Sequence, residues 1–295
     1  MNKRLLLTIL IVTLFLVGCG QTGQTNPPQQ NNPSNPTSNA IDYSQYVKKT
    51  WTNKNSEERV YFSILKIEDR NITGKFSGES FAPTNKDLPF FVSDFKGTIN
   101  KDIAECEFYD SKGNKGTLKL VFKANNKMEA TIRLTNKSKA TIQPPEGTFE
   151  FTPDNIKNIK GFRPIESQSF MVNINSWGNV KFVSGKLTAG NHIPTVFYLT
   201  NEKGDILYQF VDVPFPYSVD VKAVSFVDVN KDGLKDVIII VVDNYNGSGQ
   251  TIATVCFQKA DGSFANDPKL YQEINASGNN KDIETVKNFL SKKFR

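Results

Sequence analysis

The sequence predicts a mainly β protein, with an N-terminal antiparallel β-barrel or sandwich and a β-rich second domain that ends in a helix. Three observations predict it. Short runs of alternating, aromatic or β-branched residues recur from Tyr43 to Phe264 with turn-forming Asn, Asp, Gly and Lys clusters between them. Prolines interrupt the pattern once, at Pro144-Pro145 and again between Thr152 and Pro164. Only the last residues switch to a helical period.

Within residues 41–152, strands are expected at 59–67, 71–76, 90–99, 103–109, 116–123, 128–134 and 147–151. The segments between them, such as Glu68-Asp69-Arg70-Asn71, Asn100-Lys101-Asp102 and Asn125-Asn126-Lys127, are hairpin turns. Seven strands at hairpin spacing make an antiparallel meander, which must close or pack to protect its edges. A second domain is expected over 163–295, with strands at 170–175, 180–187, 195–200, 206–211, 219–228, 237–242 and 252–259 and a further short one at Phe264. At 282–294, Ile283, Val286, Phe289, Leu290 and Phe294 fall on one helical face. Asp282 and Glu284 at its start and Lys292 and Lys293 at its end suit the helix dipole.

The N-terminus is organised for export. Lys3 and Arg4 precede a 13-residue apolar run from Leu5 to Val17, too short to span a bilayer but the length of a signal-peptide core. It ends in Leu16-Val17-Gly18-Cys19. This resembles the bacterial lipobox, and the resemblance implies that residues 1–18 are a removed signal peptide and that the Cys19 thiol carries a diacylglyceryl group. An ordinary secretory signal with a chance cysteine is the alternative. Two acyl chains make attachment durable where one does not. Residues 19–40 would be the lipidated tether: from Gly20 they are filled with Gln, Asn, Pro, Ser and Thr, lack a large apolar side chain and cannot offset their own ordering entropy. The heavy Lys and Asn usage suits an AT-rich Gram-positive genome, which would put the protein on the outer, extracytoplasmic face of the cell membrane.

Composition excludes several classes. A single histidine, His192, rules out mechanisms and zinc sites that need two imidazoles, and no GxSxG elbow accompanies it. The formal net charge of +6 falls to +4 once Lys3 and Arg4 are removed, and it is spread without a basic run, so nucleic acid is not an expected partner. Cys106 and Cys256 remain after processing. They read as two reduced, buried thiols, or else as one long-range disulfide. Glu105 and Glu107 can be drawn as a carboxylate pair for glycoside hydrolysis, but a solvated strand face explains the alternation equally.

One segment carries metal chemistry. Asp228, Asn230 and Asp232 set three oxygen side chains on alternate residues, Gly233 permits the sharp turn, and Asp236 returns a fourth. With the backbone carbonyl of Leu234, these are hard oxygens of the kind Ca²⁺ accepts. The EF-hand pattern fails, since Ile239 stands where a bidentate Glu belongs and strands flank the loop. The run from Val227 to Ile239 instead resembles the calcium-binding hairpin of FG-GAP/VCBS repeats, and Asp261-Gly262-Ser263-Phe264 resembles the turn that follows it in that family. The resemblance implies one structural Ca²⁺. An empty Asx-rich hairpin is the other reading, and a single motif does not build a propeller. In the N-terminal half, Trp51, the turn at Ile72–Gly74, Phe95-Lys96-Gly97 and the 110–116 hairpin resemble lipocalin-like domains of secreted bacterial proteins. That implies a barrel able to enclose a small apolar ligand, unless its many Phe residues are simply core.

Together these features predict an envelope-anchored lipoprotein that binds a protein, glycan or small ligand without catalysis. A hydrolase of wall or extracellular polymer and an accessory structural envelope protein are the alternatives.

Overall fold

The computed structural model describes residues 41–53, 58–80, 90–110, 112–139, 143–189, 192–211, 213–244 and 249–294. The expected signal peptide (residues 1–18), Cys19 and the expected tether lie outside these residues.

Eight antiparallel strands form a closed barrel: β1 (Lys49–Thr52), β2 (Glu58–Glu68), β3 (Asn71–Ser80), β4 (Phe90–Asn100), β5 (Ile103–Asp110), β6 (Lys115–Lys123), β7 (Lys127–Asn136) and β8 (Gly147–Pro153). They pair in chain order, and β1 closes the ring on β8 through Trp51↔Pro153 and Thr52↔Thr152. The sequence pattern gives seven of these. It misses β1, a four-residue strand buried on both faces, which shows no alternation.

The phenylalanines are core. Phe62 stacks on Phe76 at 4.8 Å and meets Phe151 edge-on at 4.8 Å, while Phe76 in turn meets Phe91 and Phe108. Rings packed this closely form much of the barrel core. Glycine lets the strands curl around them. A Cβ at Gly97 would lie 2.1 Å from the Glu105 carbonyl oxygen, and one at Gly74 would lie 2.4 Å from both the Phe95 ring and the Ser63 carbonyl.

One end of the barrel is covered by a 3₁₀ turn, Tyr43–Tyr46, capped by Asp42. Tyr46 stacks on Trp51 and donates its hydroxyl to the Lys123 carbonyl at 2.7 Å, and Tyr43 donates to the Lys101 carbonyl. The chain enters the fold here.

The second half is a β-sandwich. Its first sheet runs in the order β10 (Phe170–Ile174), β11 (Gly178–Leu187), β12 (Thr195–Thr200) and β13 (Ile206–Phe210), with the short β9 (Phe162–Pro164) also on β11. Its second sheet runs β14 (Asp220–Val227), β15 (Asp236–Asp243), β16 (Gln250–Gln258) and β17 (Phe264–Asn266). Phe182, Phe197, Leu199, Tyr208 and Phe210 from the first face Val237, Ile239, Val241 and Cys256 from the second. The other face of β15, Ile238 and Ile240, is covered by helices. Burial on both faces explains its unbroken apolar run.

Two helices cover that face, where the helical spacing in the sequence predicts one. α2 (Ile283–Lys293) matches the expected helix, with Asp282 as its N-cap accepting from Thr285 N. α1 (Pro268–Ala276) was missed. Its start carries a legible signal, with Asp267 accepting from Lys269 N and Leu270 N and Pro268 in the first turn. Asn275 ties α1 to β16, accepting from Ala253 N and donating to Ala253 O, both at 2.9 Å.

The proline-bearing stretch between the halves is packed. Ile156, Ile159 and Phe162 lie on Tyr198, Ile206 and Leu187, covering the outer face of the first sheet. The barrel joins the sandwich through β1, β2 and β13. A bulge between Ile64 and Lys66 turns Leu65 out of the barrel and into the sandwich core, where it is 4% exposed.

Candidate functional site

The predicted metal loop joins β14 to β15 as a hairpin connection, so strands flank it on both sides as expected. Asp228 organises it. Its Oδ1 accepts from Lys231 N at 2.7 Å and Asp232 N at 3.2 Å, and its Oδ2 accepts from Gly233 N at 2.9 Å. Asn230 Oδ1 accepts from Asp232 N, and Asp232 Oδ1 accepts from Leu234 N at 2.8 Å. The backbone curls through left-handed conformations at Lys231 (φ 65°) and Gly233 (φ 84°). At Gly233 a Cβ would meet no atom within 4 Å, so that glycine is there for its φ rather than for space.

Asp228, Asn230 and Asp232 therefore stand together on the exposed turn, as the spacing predicts, with Leu234 beside them. Asp236 is placed differently. It is fully buried, and its oxygens accept from Val229 N and Gln258 N, each at 3.0 Å. Burial pushes its carboxyl up to about 6; the two backbone donors oppose that shift, and the nearby charges of Asp232 and Asp228 add to it. Asp236 thus clasps the hairpin from within.

The donors fit a hard cation in kind. Each carboxylate oxygen that takes one amide keeps lone-pair capacity, and Asp228, Asn230, Asp232 and the Leu234 carbonyl supply oxygens of the type calcium takes. Among the described residues, no three His, Cys, Asp or Glu side chains are gathered into a metal-holding group, so any site here has to draw on Asn230 and the backbone.

The loop is braced from the other sheet. Asn175 Nδ2 donates to the Gly233 carbonyl at 3.2 Å, and Lys235 Nζ donates to the Asn173 carbonyl at 3.0 Å. Trp177, in the same β10–β11 turn, donates Nε1 to the Gly262 carbonyl at 2.8 Å, with Lys48 Nζ 6.0 Å from its ring centre. These partners share no sequence signal with the loop, and only the fold brings them to it.

The other candidates stay apart. His192 is exposed and lies against Tyr217, with ring centres 4.8 Å apart. Cys106 and Cys256 are buried and form no disulfide with each other, and burial pushes the Cys106 thiol up to about 12. That corrects the disulfide alternative. Glu105 and Glu107 line a groove of about 950 Å³ on the outer face of the barrel, with Lys96, Lys119 and Arg133. Lys96 lies opposite Glu107 and Lys119 opposite Glu105, the arrangement of a solvated, charge-complementary strand face.

No protein-family model, no curated protein and no solved structure matches the chain.

Proposed function

We propose that the protein is an envelope-anchored lipoprotein, held at Cys19 to the extracytoplasmic face of the cell membrane, and that it acts as a binding or adhesion module without catalysis. A structural Ca²⁺ at Asp228, Asn230, Asp232 and the Leu234 carbonyl staples its second half. Asp236 supports that site from beneath by fixing the ends of the hairpin.

The observation that carries this reading is the closure of the loop around Asp228, whose carboxylate gathers three successive amides and holds Asn230 and Asp232 on the same turn. Carboxylates crowded in this way repel one another, and a cation removes that repulsion, so its binding energy becomes folding energy. The lipobox and polar tether supply the anchoring half of the reading. The partner is a protein, glycan or small ligand of the envelope. The polar groove on the barrel offers it a recessed surface.

Two assays test the reading. Full-length protein expressed in a bacterial host should incorporate radiolabelled palmitate and fractionate with membranes, and Cys19→Ala should do neither. Terbium luminescence excited through Trp177 should titrate the loop in wild type and be lost in Asp232→Ala. Membrane retention of Cys19→Ala would overturn the anchor, and unchanged terbium binding in Asp232→Ala would overturn the site. A hydrolase of wall polymer is the competing reading. Glu105 and Glu107 are its available carboxylates, and turnover abolished by Glu107→Gln would favour it.

A further inference from the structure

Gln258 closes β16 at the end of the sandwich nearest the metal loop. Its backbone is pinned, since its N–H donates to Asp236 Oδ1 at 3.0 Å. Its side chain falls on the core-facing side of the strand, two residues after Cys256, and only 2% of the residue is exposed. Both amide atoms, Nε2 and Oε1, are buried, and neither has a hydrogen-bond partner among the described residues.

Its surroundings have largely paired among themselves. Opposite it on β17 is Phe264, whose N–H donates to the Tyr208 hydroxyl at 2.9 Å and whose carbonyl accepts from that same hydroxyl at 3.2 Å. Trp177 Nε1 is given to Gly262. A buried primary amide with two donors and an acceptor left over demands a partner that can do both. A cation would satisfy only Oε1 and face the donors, and an anion would do the reverse. A neutral molecule small enough for a closed core, donating and accepting at once, is water.

We propose that the Gln258 side chain holds an internal water at the end of the sandwich core. The site is independent of the calcium reading, because the amide lies on the opposite side of the sheet from the Asp236 carboxylate, as the alternation of β15 and β16 requires.

A high-resolution crystal structure of residues 41–295 tests it, beside one of Gln258→Met, which keeps the length of the side chain and removes its polar atoms. The expected result is an ordered water in hydrogen-bond contact with both Nε2 and Oε1 in wild type and no water there in the variant. A dry amide packed on the aromatic rings would overturn the proposal. So would a water that persists in Gln258→Met, since something else would then hold it. Should the variant fail to fold, the wild-type density alone decides. Thermal unfolding gives a second reading: a midpoint unchanged or lowered in Gln258→Met agrees with a hydrated amide, and one raised by several degrees marks relief of a dry, unpaired one and overturns it.

Discussion

The backbone N–H of Gln258 donates to Asp236 Oδ1 at 3.0 Å, while Asp236 Oδ2 accepts from Val229 at the far side of the hairpin. One buried carboxylate therefore fixes the end of β16 and the start of the β14–β15 loop. Replacing it by Ala strands two buried N–H groups, each worth about 1–3 kcal/mol. We expect Asp236→Ala to lose about 2–6 kcal/mol in urea unfolding, and Asp236→Asn, which keeps one acceptor, to lose less. Equal losses would show that the clasp does not depend on acceptor number.

The same residue gives a pH signature. Its folded pKa of about 6 lies above the unfolded value of 3.8. Between the two, the folded state holds a proton that the unfolded chain has released, so stability falls as pH rises through this window. In calcium-free buffer, wild type should lose up to about 3 kcal/mol relative to Asp236→Asn between about pH 4 and about pH 6. The comparison cancels Asp205 and Asp220, whose lowered pKa values act in the opposite direction. Parallel wild-type and variant curves would sink the idea.

Calcium should raise the thermal midpoint of residues 41–295. At a concentration about a hundredfold above Kd the gain is about 2.7 kcal/mol. EGTA should reverse it, and Asp232→Ala should not show it. No shift at millimolar calcium would leave the segment as the empty Asx-rich hairpin.

Leu65 joins the two halves from its bulge in β2. Leu65→Ala should cost about 2–5 kcal/mol. It should also broaden or split the calorimetric transition, because the barrel and the sandwich would then melt with less coupling. A single sharp transition at the wild-type midpoint would mean that β1 and β13 carry the junction alone.

Cys106 and Cys256 should react with a thiol reagent only after denaturation, each as a free thiol. Burial and the raised pKa of Cys106 both suppress the reactive thiolate. Rapid labelling of the native protein would contradict the packing around them.

Much of this was legible in the sequence. The alternation of Ile103–Asp110 and Lys115–Lys123 gave β5 and β6 because one face of each meets the core and the other meets water. The spacing of Asp228, Asn230 and Asp232 makes legible that their side chains share one turn between two strands. β1 escaped because both its faces are covered, and α1 because Leu270 and Ile274 make too narrow a stripe in nine residues to stand out. The inward turn of Asp236 was hidden for another reason. A carboxylate at position 9 of such a loop looks the same in sequence whether it points at a cation or at two amides. The bracing of the loop by Asn175 and by the Lys235 contact to Asn173 is tertiary and leaves no local trace.

The closure of β1 on β8 also bears on how the chain folds. Trp51 leaves the ribosome about a hundred residues before its partner Pro153, so the first strand of the barrel is the last to find its neighbours on both sides. Until then Trp51, Tyr46 and the Phe residues of β2 to β4 face water along an unsealed edge. The barrel is thus a late-closing ring, and the slowest folding step should be the one that joins its first strand to its last.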